Sequence, residues 1–168
     1  SKTIIEAALI TKSQRLEITE NHVENIQTPP GSYPLEEFII QSVKDGGLGD
    51  RYCLDFTSLL EIGEGVLIGS SSLQMLLVHS ETLTSSFVPT RPFRVNAGSP
   101  HSYILMGDGT TKYMSELKSG DEVLILHETG RNRTAVLGRI KVEQRPMLKL
   151  QFRPQRNYKQ KPNEGHVY

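Results

Sequence analysis

From Arg51 onward the chain is a succession of short apolar runs, each closed by glycine, aspartate, serine or proline. Val66-Leu67-Ile68 and Met75-Leu76-Leu77-Val78 are too short for core helices and suit buried strands. Ser102–Met106 and Thr111–Met114 flank Gly107-Asp108-Gly109-Thr110, the pattern of a hairpin around a Gly/Asp turn. Glu122–His127, Thr134–Val142 and Met147–Phe152 predict three further strands. Several short strands with turns between them imply a mainly β, turn-rich barrel or sandwich. Nine prolines and fourteen glycines agree with that and disfavour a helix bundle.

The first part of the chain reads differently. Ile4, Ile5, Ala8 and Leu9 recur at helical spacing, which predicts a short N-terminal helix over Thr3–Thr11. Leu16–Val23 alternates like a strand, and Ile26–Tyr33, with Pro29, Pro30 and Gly31, is a loop. Pro34–Gln41 is open to two readings, a helix with proline in its first turn or a strand through Phe38-Ile39-Ile40. Asp45–Asp50 is a glycine turn. These signals divide the chain into 1–48, the end of a preceding region with a connecting segment, 49–154, a β-rich core, and 155–168, a polar tail. The chain starts with Ser1, as an excerpt or a processed protein does.

Charge and cysteine usage narrow the setting. No run is long and apolar enough to span a bilayer as a helix. The first residues lack the charged start, apolar stretch and small-residue cleavage site of a signal peptide. Cys53 is the single cysteine, so no intrachain disulfide forms, and its simplest place is a small buried strand position. A soluble, cytoplasmic protein without membrane partners is therefore expected, free to associate as a homo-oligomer. Net charge is zero, yet Arg131–Lys161 holds ten Lys and Arg against one acid, Glu143. Such a flank is either a solvated strand face or an attractor of anions. Nucleic acid is a disfavoured partner, because only Phe152 and Tyr158 are there to stack on bases.

Six strings give the chain a resemblance. They are GDRYCLD (49–55), IGEGVLIGS (62–70), LVHSET (77–82), TRPFRVNAG (90–98), KYMSELKSGDEVLI (112–125) and GRIKVEQRP (138–146). In this order and spacing they resemble type II 3-dehydroquinate synthases, over somewhat more than half of the chain. Members of that family are longer at both ends. The resemblance implies NAD-dependent oxidative deamination of 2-amino-3,7-dideoxy-D-threo-hept-6-ulosonate, followed by ring closure to 3-dehydroquinate, a step of aromatic amino-acid biosynthesis. Similar enzymes of secondary metabolism make 3-amino-4-hydroxybenzoate from a phosphorylated heptanoate with a divalent metal such as manganese, and that alternative stays open.

That chemistry needs a cation for an anionic substrate and groups that move protons. Arg91 and Arg94 offer planar forks for a carboxylate or phosphate. Three residues apart, they converge only at a bend, and the alternative is structural ion pairing with Glu81 or Asp55. His79 and Glu81 would share one strand face as an acid–base pair, would bind a divalent metal with His101, or would be a polar pair at a strand end. Asn96, before Ala97 and Gly98, allows close approach of backbone to a ligand. Tyr103 is either an oxyanion donor or an interfacial tyrosine. Lys112 is either a Schiff-base lysine or a surface residue. For NAD, Gly63-Glu64-Gly65 with Gly69 is no dinucleotide fingerprint. Asp50, Arg51 and Ser70 are the polar candidates for cofactor contact, or else turn residues.

Overall fold

The computed structural model describes residues 33–82, 89–154 and 165–168. Among these the protein is mainly β. The strands are β1 (Phe38–Phe56), β2 (Glu64–Ser71), β3 (Gln74–His79), β4 (Arg94–Gly98), β5 (Tyr103–Leu105), β6 (Thr111–Tyr113), β7 (Glu122–His127), β8 (Asn132–Pro154) and β9 (Gly165–Val167). One 3-10 turn, Met114–Glu116, follows β6. The expected N-terminal helix and the Leu16–Val23 strand lie outside the described residues.

The strands form one sheet in the order β4-β1-β8-β7-β2-β5-β6, with β3 on β2 and β9 on β8. Every pairing is antiparallel. The sheet curls into a half-barrel. Past the ends of β3 and β4, Glu81 N donates to Arg94 O (2.9 Å) and Arg91 N to Glu81 O (2.8 Å), so the circuit β4-β1-β8-β7-β2-β3 returns on itself. Curling turns one face of each strand inward. Leu54, Phe56, Val66, Ile68, Leu76, Val95, Ala97, Ile104, Val123, Ile125, Leu137 and Phe152 meet there in one apolar core. Each such side chain removed from water contributes roughly 1.5–3 kcal/mol. The strands β2, β3, β5 and β7 are apolar on their other face too. Leu67, Met75, Leu77, Leu105, Leu124 and Leu126 form a second cluster with Tyr33, and Leu35 packs against it. That is why these strands read as continuous apolar runs rather than as alternation. Gly65 has no room for a side chain, because a Cβ there would overlap the carbonyl of Val78 on β3.

One open reading is decided and two expectations change. Phe38-Ile39-Ile40 is the start of β1, so the strand reading of Pro34–Gln41 is the one realised. The two runs 134–142 and 147–152 are a single strand, β8, which continues through Pro146. The glycine turn at 45–50 lies inside β1 as a bulge between Asp45 and Leu48, directly opposite Pro146 and its neighbours. A bulge locally breaks the ladder, so a proline that lacks an N–H costs little there. Gly47 supplies the φ of +75° that the extra residues require, and its N–H donates to Asp45 Oδ1 (2.8 Å). The hairpin expected at 102–114 is found, with Leu105 opposite Thr111 and Tyr103 opposite Tyr113.

Candidate functional site

The register of β8, β1 and β4 sets side chains from three distant parts of the sequence in rows on the outward face of the barrel. Arg139, Asp55 and Arg94 form one row, and Lys141, Cys53 and Asn96 the next. Glu143 and Arg51 form the third, and Arg145 faces Gly49 in the fourth. The inward residues between them, Leu54 and Val95, are fully buried, so the strip is apolar below and polar above.

Asp55 anchors the first row. Arg94 grips it with two bonds, Nε to Oδ1 (2.6 Å) and Nη2 to Oδ2 (2.8 Å). Arg139 reaches Oδ2 from the other side with Nε (2.8 Å) and Nη2 (2.5 Å). Hydrogen bonding from Arg94, with that from Arg139, outweighs burial and holds the Asp55 carboxyl below its ordinary range. The same partner raises the Arg94 pKa. The two arginines differ in exposure: the Arg94 side chain is 12% exposed and that of Arg139 67%.

The second row continues into a hydrogen-bonded chain. Cys53 Sγ donates to Asn96 Oδ1 (3.2 Å), and Asn96 Nδ2 donates to Glu81 Oε1 (2.6 Å). Arg91 Nη1 donates to Glu81 Oε2 (3.2 Å). Arg91 and Arg94 meet this network together because Arg91–Arg94 is a turn closed by Arg94 N donating to Arg91 O (2.9 Å). The bend on which their convergence depended is present, and both also make the ion pairs weighed against ligand contact.

In the third row Glu143 gathers three cations. Lys141 Nζ lies 2.5 Å from Oε1, with Arg51 Nη2 (2.6 Å) and Arg145 Nη2 (3.2 Å) on Oε2. Lys141, then Arg145 and Arg51, hold its carboxyl down to about 2.

The remaining candidates stand elsewhere. His79 ends β3, while Glu81 lies beyond it, and the Glu81 carboxylate turns to Arg91 and Asn96. The charged groups that act on His79 are Glu128 and His127, and burial first of all lowers its pKa. Its Nε2 is buried without a hydrogen-bond partner. His101 is exposed in the turn before β5, edge-on to Tyr168 with ring centres 5.2 Å apart. Among the described residues no three His, Cys, Asp or Glu side chains gather as a metal-ligand set, so His79, Glu81 and His101 are not brought together as one. Tyr103 shares a hydroxyl–hydroxyl bond with Tyr113 (2.8 Å), and that bond raises its pKa. Lys112 donates to Asp121 Oδ1 (3.0 Å). Asp50 is exposed and pairs with Gln144, on the strand face opposite to Arg51. Ser70 lies on β2 with its Oγ buried and unbonded.

Residue-type reasoning did not single out Arg139, Lys141, Glu143 or Arg145 as a site, and it treated Asp55 only as an ion-pair partner. The signal was in the spacing: Arg51, Cys53 and Asp55, and Arg139, Lys141, Glu143 and Arg145, are polar at every second position, which is one strand face.

Residues 37–161 match the family described as the 3-dehydroquinate synthase II C-terminal domain. Among curated relatives, a 3-dehydroquinate synthase of Methanococcus vannielii is 53% identical over 114 residues, 68% of this chain and 32% of that protein. One of Methanocaldococcus jannaschii is 51% identical over 117 residues, 70% of this chain and 32% of the relative. One of Methanothermobacter thermautotrophicus is 47% identical over 126 residues, 75% and 33%. No solved structure matches. The chain thus spans about a third of the length of the curated relatives it matches. The match runs from the residue before β1 to beyond the end of β8, taking in all three strands of the polar strip, and the chain belongs to the 3-dehydroquinate synthase II C-terminal domain family.

Proposed function

We propose that this chain is the C-terminal part of an enzyme that converts an open-chain amino-keto acid into 3-dehydroquinate, and that the outward strip of β8, β1 and β4 serves the anionic end of that substrate. One observation carries the reading. GDRYCLD, TRPFRVNAG and GRIKVEQRP, far apart in sequence, become adjacent strands whose charged side chains fall in shared rows. Their inward residues make the core, while the outward cations outnumber the carboxylates they face.

In this reading the amine-bearing carbon is oxidised, the imine is hydrolysed with loss of ammonia, and an enolate beside the ketone attacks the new carbonyl. The strip holds the carboxylate and leaves the reacting carbons to project from it. NAD would accept the hydride. The described residues offer a dinucleotide no cradle, because Gly63-Glu64-Gly65 leads into β2 rather than from a strand into a helix, and Asp50, Arg51 and Ser70 lie on two strands that are not neighbours. We therefore assign NAD binding to the part of the full-length enzyme outside this chain. The manganese-type chemistry of aminohydroxybenzoate-forming relatives likewise has no ligand set among the described residues. No helix of the described residues is long and apolar enough to cross a membrane, and we place the reaction in the cytoplasm.

The test is to supply full-length protein with the amino-heptulosonate and NAD and to follow 3-dehydroquinate and NADH. Formation of both supports the reading. If neither forms, and a manganese-loaded preparation instead turns the phosphorylated analogue into an aminohydroxybenzoate, the reading is wrong.

A further inference from the structure

We propose that Arg139, Lys141 and Arg51 form the anion subsite itself, above Cys53, with Asp55 and Glu143 as positioning residues that aim these cations. The inference deepens the reading above and rests on it for the identity of the ligand.

The charge balance of the strip is the first argument. Arg51, Arg94, Arg139, Lys141 and Arg145 face two carboxylates, Asp55 and Glu143. Arg94 satisfies both oxygens of Asp55 by itself. Arg139 adds its Nε and Nη2 to one oxygen that is already occupied, while most of its side chain stays exposed. Glu143 similarly meets three cations with two oxygens. Two acids hold five bases in a fixed array without neutralising them.

The second argument is the row between the acids. Lys141, Cys53 and Asn96 carry no acid. Cys53 is small and 1% exposed, so it lies beneath the side chains around it and adds neither charge nor bulk to the row. Asn96 is pinned from both sides, by Cys53 and by Glu81. Rows on one strand face are roughly 7 Å apart. A compact anion above Cys53 therefore meets Lys141 within its row, Arg139 from the row on one side and Arg51 from the row on the other. Met147 closes the far end by lying across Gly49, where a Cβ would come within 3.0 Å of its Cγ. A carboxylate fits this place, as does a phosphate, since both accept from a guanidinium fork and an ammonium at once.

The experiment compares wild-type full-length protein with Arg139→Gln/Lys141→Gln and with Arg139→Lys. Calorimetry measures binding of 3-dehydroquinate and, separately, of inorganic phosphate, and turnover is followed with the amino-heptulosonate. We expect the double variant to bind 3-dehydroquinate at least tenfold more weakly and to show KM raised by a similar factor with kcat little changed. Arg139→Lys, which keeps the charge and loses the fork, should fall between. Melting temperature should hold, because Asp55 keeps Arg94. Weaker 3-dehydroquinate than phosphate binding in the wild type would assign the subsite to a phosphorylated ligand and sink the carboxylate assignment. Unchanged affinity and KM in the double variant would overturn the subsite while the reaction stands. Arg139-dependent phosphate binding without any 3-dehydroquinate formation would leave the subsite standing and remove the reaction. Tight oligonucleotide binding lost in the double variant, with 3-dehydroquinate binding intact, would overturn the proposal in favour of nucleic acid.

Discussion

The two faces of the β8-β1-β4 strip are made by the same backbone and behave as two materials. Below, Leu54, Val95, Ala97 and Leu137 are packed with at most traces of exposure. Above, at alternate positions, Asp55, Arg94, Arg139, Lys141, Glu143 and Arg51 form an ionic lattice that grades from buried to exposed. The inner face stabilises by excluding water, which is proportional to area and indifferent to salt. The outer face orients charge, and most of its ion pairs lie where solvent screens them. The difference teaches that exclusion of water and orientation of charge are separated here by a single peptide step along each strand.

The largest break in that comparison is Leu54→Ala. Loss of a fully buried side chain from the centre of the strip should cost about 4 kcal/mol, seen as a shifted denaturation midpoint with unchanged slope. A smaller loss would show that the half-barrel collapses around the gap. Asp55→Ala comes next. It leaves Arg94 partly buried without its partner, which should cost about 2 kcal/mol, below the roughly 3–5 kcal/mol of a fully buried pair because Arg139 stays in water. Asp55 is ionised in the fold below its ordinary range, so its contribution is present above the unfolded carboxyl pKa, 3.8 for the free group, and is lost as pH falls toward the folded value.

His79 sharpens the comparison from outside the strip, being a titratable group half-buried at the end of β3. Burial lowers its pKa from 6.5, so the unfolded chain takes up the proton first. Stability should be full above about pH 7 and decline through about pH 6 as the unfolded state protonates, levelling once the folded histidine does so too. Melting curves of the wild type and His79→Gln across that range measure it; parallel curves would refute the assignment. The smallest effect belongs to Glu143→Gln. Two of its three partners, Lys141 and Arg145, are exposed and Arg51 is half-buried, so the melting temperature should move little at physiological salt, with a larger difference at low ionic strength.

Not all of this was readable to the same depth. The short apolar runs between turn residues announced a β fold, and the 102–114 hairpin appeared where its Gly-Asp-Gly turn put it. Two boundaries were misread for one reason. Pro146 and Gly46-Gly47 are each turn signals when met alone, and only their placement across from one another makes them a bulge within a continuous ribbon. At the candidate site, Arg91, Arg94, Asn96 and Glu81 were picked out and are in one network with their neighbours. Arg139 and Lys141 passed as part of a basic flank.

What the sequence determined by itself was local: period, turn chemistry and the family likeness carried by six strings. Which face of each strand met water, which acid met which arginine, and that His79 and Glu81 part company at the end of β3 were decided by tertiary structure. The physical reason is that a strand makes no hydrogen bonds of its own. Its partners and register are chosen by the sheet as a whole, so residues such as Asp55 and Arg139, 84 positions apart, become neighbours only once β1 and β8 have paired.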